Sequence, residues 1–222
     1  MDIILLTVRW YLRYNLSFHD LIEMMEERGL SLPHTTIMLW VHQYGLKLEK
    51  RIRRHLKQTN ASWRVDETYI NVKRQWMYLY RAVASEENTI DFYLSKSRKH
   101  TAAKRFFKKA LRFFYVLKPH VITVDKNPAY PIAISGLKKE KKMPLGMPIR
   151  QIKYLNHIVE QDHRFMKRRI HSMLGLNSFR TTTCILAEVE AMHMRNKEQI
   201  DLRDQSVQAQ KQFIYQLFGL TT

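Results

Sequence analysis

Between Trp63 and Leu94 the chain carries three runs rich in aromatic and β-branched residues, Trp63 to Ile70, Gln75 to Ala84 and Thr89 to Leu94, separated by a few polar residues. Such runs predict three strands in a meander. Residues 100–117 then carry Ala103, Phe106, Phe107, Ala110, Phe113 and Phe114 at helical spacing. Val121-Ile122-Thr123-Val124 is a short apolar run suited to a buried parallel strand. A helix is expected from about Pro128 to Lys139, a basic, Pro-containing loop over Lys141 to Pro148, and a last strand over Ile149 to Tyr154. Helices follow over residues 155–173, 180–195 and 204–218. Three strands, helix, strand, helix, strand, helix fits a mixed α/β sheet with helices on both faces, an order that several folds share.

The stretch before the strands is helical throughout. Ile3, Leu6, Trp10 and Tyr14 share one face of a first helix. Ser17 and Asp20 have the form of a capping box, so a second helix starts there and stops at Gly29. A third is expected from Pro33 to Tyr44, with Gly45 as its stop. Two short helices joined by a Gly-containing turn outline either a helix-turn-helix or a generic helical hairpin. In the first case Thr35, Thr36 and Trp40 would meet base edges, although Trp40 serves equally well as core. Lys47, Lys50, Arg51, Arg53, Arg54, His55 and Lys57 then form a basic stretch ahead of the polar segment Gln58 to Ser62. Beside a DNA-binding module, Arg51, Arg53 and Arg54 read as phosphate contacts; alone, they read as a solvated helix face.

Charge narrows the partner. The 222 residues hold 38 Lys and Arg against 20 acidic residues, a formal net charge of +18. Such an excess points to nucleic acid, whose condensed counterions are released as phosphates are neutralised. Cys184 is the only cysteine, so an internal disulfide and a cysteine-based zinc site are both excluded. No apolar run approaches the ~20 residues of a membrane span. A cytoplasmic, nucleoid-associated protein is expected, with no membrane and no small-molecule substrate.

Three carboxylates stand apart. Asp66 lies inside the first strand, Asp125 directly follows the apolar run 121–124, and Glu160 lies on an expected helix. Functional groups in such sheets gather beyond the carboxyl ends of strands. Carboxylates from three separate elements suit a pair of Mg²⁺ ions, hard cations that take oxygen ligands, with Mn²⁺ able to substitute. Each residue also has a plain structural use: Asp66 paired with an Arg across the sheet, Asp125 as a helix N-cap, Glu160 paired with Arg164. Glu67, next to Asp66, should point to the opposite face of the strand, so that only one of the two faces the site.

Asp125 and Glu160 have thirty-four residues between them, and Lys167 lies seven residues, close to two helical turns, after Glu160. With the phrases WRVDETY, VITVDKNPAY, VEQDHRFMKRR, FRTTTCILAEVEAMHM and DIILLTVRWYLRYNLSF, this pattern resembles the DDE transposases of bacterial insertion sequences, the insertion-sequence-six family in particular, along nearly the whole chain. The resemblance implies an RNase H-like mixed sheet with flanking helices, the integrase catalytic core, over 61–175. It implies a helix-turn-helix module with a basic linker over 1–57 and C-terminal helices over 176–222. It further implies that Asp66, Asp125 and Glu160 hold the metals and that Lys167, with Arg164 on the same helix face, contacts DNA. The activity implied is binding of terminal inverted repeats and joining of 3′-hydroxyl ends to target DNA. The sequence departs from the family pattern at Leu39, where a basic residue is expected, and at His157, where an Asn is. Members often carry residues ahead of the DIILL segment, so an N-terminal piece of the DNA-binding module is expected to be missing.

A catalytically inactive or truncated, repressor-like DNA-binding protein is the alternative, and a simple metal-dependent nuclease a third. A repressor has no reason to place three carboxylates together; a nuclease leaves the N-terminal helices and Lys167 unexplained. His157 and His163 are expected as surface or DNA-proximal groups, with a supporting role open to His163. Holding two DNA ends together calls for a homodimer or larger assembly.

Overall fold

The computed structural model describes residues 2–113, 115–152, 157–173, 176, 178–202, 204 and 206–220, with residues 157, 158 and 172 described by their backbone alone. Phe114, Tyr154 and the side chain of His157 therefore lie outside the described residues. The chain forms two compact units, residues 58–167 and residues 1–57 with 168–222.

The first unit is built on five strands: β1 (Ser62–Val72), β2 (Gln75–Ala84), β3 (Thr89–Ser95), β4 (Val121–Val124) and β5 (Ile149–Gln151). They lie in the order β3-β2-β1-β4-β5. β2 runs antiparallel to both neighbours, while β4 pairs parallel with β1 and β5 parallel with β4. A five-stranded mixed sheet in this order, flanked by helices, is the RNase H-like fold. One face packs against α4 (His100–Ala110) and α5 (Ala129–Lys139). Trp63, Val65, Tyr80, Phe106, Phe107 and Tyr130 are all fully buried there, and Tyr80 meets Phe106 and Tyr130 at ring distances of 6.0 and 6.3 Å. The opposite face meets α6 (His157–Ser172). Fully buried Arg81 of β2 donates to the Asp162 carbonyl at 2.7 Å and to its carboxylate at 3.3 Å.

The burial phase of β1 changes along its length. Trp63 and Val65 are buried, then Thr68, Ile70 and Val72. Side chains alternate between faces at period two, so the buried face switches from the α4/α5 side to the α6 side. Asp66 and Glu67 occupy the switch.

Two expectations about helix ends are corrected. α4 ends at Ala110 rather than near 117, with Leu111 as its C-cap. The apolar period continues because Tyr115, beyond the helix, is itself buried; its carbonyl accepts the Thr59 N–H at 2.8 Å. In the second unit, α1 (Asp2–Arg13) and α2 (Phe18–Glu26) fall as expected, with the reciprocal Ser17–Asp20 capping box and Gly29 at φ +75°. α3 (His34–Ile52), however, runs straight through Gly45. A Cβ at Gly45 would lie 2.4 Å from the Glu188 carboxylate of α7 (Phe179–Asn196). The glycine is there for close helix approach, not as a stop. The basic stretch is accordingly the last turns of α3 and a short 3₁₀ turn, Arg53–His55. α8 (Val207–Leu217) completes the unit. No helix among the described residues is long and apolar enough to cross a membrane.

Glu188 is 1% exposed and neither carboxylate oxygen has a hydrogen-bond partner among the described residues. Burial, then the nearby Glu49 charge, pushes its carboxyl well above the usual range. The folded state thus keeps a proton that the unfolded chain releases, and stability falls as pH rises above the ordinary glutamate range. Glu188→Gln should remove that loss: the variant's Tm should match the parent's near pH 4 and exceed it at pH 8. Equal Tm differences at both pH values would refute a protonated Glu188.

Candidate active site

The pairing of β1 with β4 ends at Val65 opposite Val124. The next residues, Asp66 within β1 and Asp125 just past β4, therefore lie side by side at the same level. β4 stops there, and the turn into α5 is tied by the Asn127 N–H, which donates to Asp125 Oδ1 at 3.1 Å. Asn127 Oδ1 in turn accepts the Ala129 N–H at 3.0 Å in the first turn of α5. Asp125 is thus held in an Asx turn, and the helix N-cap position itself is Pro128.

Oxygens of Asp66, Glu67 and Asp125 lie within 4.8 Å of one another. That Glu67 joins the cluster departs from strict alternation. Its side chain does turn to the α5 face, where it meets Asn127 and Tyr130, but at the end of β4 no strand separates the two faces, so its carboxylate still reaches Asp125. Glu67 is 2% exposed, against 19% for Asp66 and 30% for Asp125. It accepts from Arg98 Nε at 2.6 Å and Asn127 Nδ2 at 2.8 Å, and it is bonded by the Tyr130 hydroxyl and Arg98 Nη2. Arg98 Nη2 is also 4.0 Å from Asp125 Oδ2. Sequence reasoning missed Glu67, Arg98, Asn127 and Tyr130. The legible signal was Glu67 itself, an acidic residue continuing the buried phase of Trp63 and Val65.

Electrostatics single out the same place. Burial pushes the Asp66 carboxyl up to about 7, against a backbone hydrogen bond from Glu67, and the charges of Asp125, Glu67 and Glu160 push it in the same direction. Asp125 is raised by burial and by Glu67. Glu160, exposed on α6, is thus close enough for its charge to be felt at Asp66. Arg81, opposite Asp66 across β2, engages Asp162 instead of standing as a simple partner for Asp66.

His163 is 5% exposed, not a surface group as expected. Its Nε2 lies 3.7 Å from Asp66 Oδ2, and burial depresses it to about 3, so it faces Asp66 as a neutral ring. Lys167 and Arg164 are exposed on α6, consistent with their turning toward solvent. Of the three arginines expected to touch phosphate, Arg54 is exposed. Arg53 is instead buried against Glu49, and Arg51 lies over the Phe218 ring at 4.3 Å. Both are absorbed because α3 continues to Ile52 and packs its last turn within the unit. Thr35 is exposed and Thr36 half-buried in the first turn of α3.

The donor set is all hard oxygen, with no Cys or His within it, which suits Mg²⁺ or Mn²⁺ and not zinc. An acidic cluster in mid-β1 and just past the carboxyl end of β4 in an RNase H-like sheet is the arrangement of a polynucleotidyl transferase. Known proteins agree. A DDE-domain family model matches residues 60–199. The transposase for insertion sequence-like element IS431mec of Staphylococcus aureus is 33% identical over 201 residues, 90% of this chain and 88% of that one. The transposase for insertion sequence element IS257 in transposon Tn4003 of the same species matches to the same extent, 33% over 201 residues. Among solved structures, the HTLV-2 integrase catalytic core in complex with magnesium is 16% identical, covering 60% of this chain and 84% of that chain at a TM-score of 0.45. The BIV integrase core is 15% identical, covering 64% and 87% at 0.42. The chain belongs to the DDE transposases, within the insertion-sequence-six family.

Without divalent cations, the folded chain keeps the Asp66 proton to about pH 7. The unfolded chain releases it near pH 4, so stability falls as pH rises across that window. Asp66→Asn should therefore raise Tm at pH 8 and change it little at pH 4, as followed by circular dichroism. A variant destabilised equally at both would show that burial and the neighbouring carboxylates do not raise Asp66.

Proposed function

We propose that this transposase binds the terminal inverted repeats of its element and joins their 3′-hydroxyl ends to target DNA. The observation that carries the reading is the register that sets Asp66 and Asp125 side by side where the pairing of β1 with β4 ends. Asp66, Asp125 and Glu160 are the residues proposed to hold divalent metal, with two Mg²⁺ ions as the natural complement of three carboxylates. Bound there, the ions would stabilise charge on the attacking and leaving oxygens of the phosphodiester.

The chain's own groups do the rest. Asp66 and Asp125 meet the ions from the sheet, and Glu160 meets them from α6. Lys167 and Arg164, exposed on α6 beyond Glu160, hold DNA phosphates and place the scissile bond. His163, neutral and buried, keeps water from the rear of Asp66. End recognition falls to residues 1–57, with Thr35 and Thr36 toward base edges and Arg54 on a phosphate. Chemistry falls to the sheet and α6, within 61–175. The helices from 176 onward pack with α1 and α3 in the same unit and support that recognition module, and holding two ends calls for at least two copies of the chain.

A strand-transfer assay with labelled terminal-repeat DNA in Mg²⁺ tests this. Joined products are expected with the parent chain, slower or equal in Mn²⁺, and none with Asp125→Ala or Glu160→Ala. Joining that survives Asp125→Ala would overturn the assignment. Specific end binding without joining in the parent chain would identify a repressor-like copy.

A further inference from the structure

Three carboxylates converge, but they are not equivalent. An ionised carboxylate offers about four lone-pair sites. Glu67 meets four donors: Arg98 Nε and Nη2 and Asn127 Nδ2 crowd Oε1, and the Tyr130 hydroxyl meets Oε2. Among the described residues, the one cation near Asp125 Oδ2 is Arg98 at 4.0 Å, and Oδ1 accepts the Asn127 N–H. The Asp66 carboxylate accepts a backbone hydrogen bond from Glu67, and its Oδ2 lies 3.7 Å from the neutral His163 ring. The Glu67 side chain, 2% exposed, is thus held by four side-chain donors, whereas each aspartate is held mainly by one backbone N–H.

The donors to Glu67 are also the elements that aim Asp125. Asn127 grips Glu67 with its amide nitrogen, holds Asp125 with its backbone N–H and caps α5 with its amide oxygen. Tyr130 ties the first turn of α5 to the same carboxylate. Glu67 belongs to β1, the strand that carries Asp66.

We infer that Glu67 is the positioning residue of the site: through Asn127 and Tyr130 it clamps the β4–α5 turn to β1 and fixes Asp125 at metal-binding distance from Asp66, without being a ligand itself. This rests on the metal-dependent reading above. Partners that orient metal ligands typically contribute about 10–100-fold in metal affinity. Asn127 Oδ1 is engaged by the Ala129 N–H and the Tyr130 hydroxyl by Glu67, so the effect of their loss on metal affinity is expected to act through position.

Calorimetric titration of the full chain with Mn²⁺ alone, without DNA, tests the inference. Asn127→Ala and Tyr130→Phe are each expected to weaken Mn²⁺ binding by about tenfold. Glu67→Gln is expected to do the same, and the Glu67→Gln/Asn127→Ala pair should cost far less than the product of the single losses. Tyr130→Phe removes one hydroxyl and keeps the core ring, so it remains informative if Asn127→Ala misfolds. Weakening by Glu67→Gln alone, with Asn127→Ala and Tyr130→Phe at parental affinity, would make Glu67 a ligand and overturn the clamp. Binding that requires Asp125 but ignores all three variants would likewise overturn it while leaving the transposase reading intact. A parent chain that binds no Mn²⁺ would overturn that reading and the clamp with it.

Discussion

Everything at the candidate site depends on the parallel pairing of β1 with β4. Four residue pairs, from Ser62 opposite Val121 to Val65 opposite Val124, hold it. They are apolar and buried at their inner end, and they force two carboxylates onto one level. The stability of the sheet thus works against the mutual repulsion of its charged ends. The chain accepts an Asp66 raised to about 7 because the surrounding core fixes the strands. Sites that hold strained or frustrated groups in this way are commonly functional.

Much of this was legible in the sequence because the decisive signals are local. Apolar runs bounded by polar residues gave β2 its observed limits and β1 and β3 theirs to within two residues. Ser17 and Asp20 announced α2 through side-chain chemistry that needs no tertiary context. Asp125 was conspicuous because it ends an apolar run. The sheet order follows from the same succession of elements once helices cover both faces.

What escaped the sequence is tertiary by nature. Gly45 has the local signature of a helix end, and only the approach of Glu188 shows that it serves packing. Tyr115 is buried through a turn, yet in a one-dimensional pattern it extends a helical face. Glu67 points to the face that alternation predicts, but alternation describes a strand flanked on both sides, and with β4 ended at Val124 its carboxylate still joins the cluster. Arg53 and Glu49 form an ordinary i,i+4 pair whose burial no charge pattern reveals.

The sheet's pairing also sets an order of events for a newly made chain. β1, β2 and β3 join neighbours through short turns, with Lys73 and Arg74 in the first of them at φ 48° and 61°. The β1–β4 pair instead closes a loop of about sixty residues, and loop entropy makes such distant pairings slower to form than local ones. The meander can therefore assemble while Asp66 is still solvated and alone. Its repulsion with Asp125 is incurred only when β4 docks, after the helical cover has begun to form. A chain arrested before that step would have most of a sheet, no crowded carboxylates, and an unpaired β1 edge open to other strands.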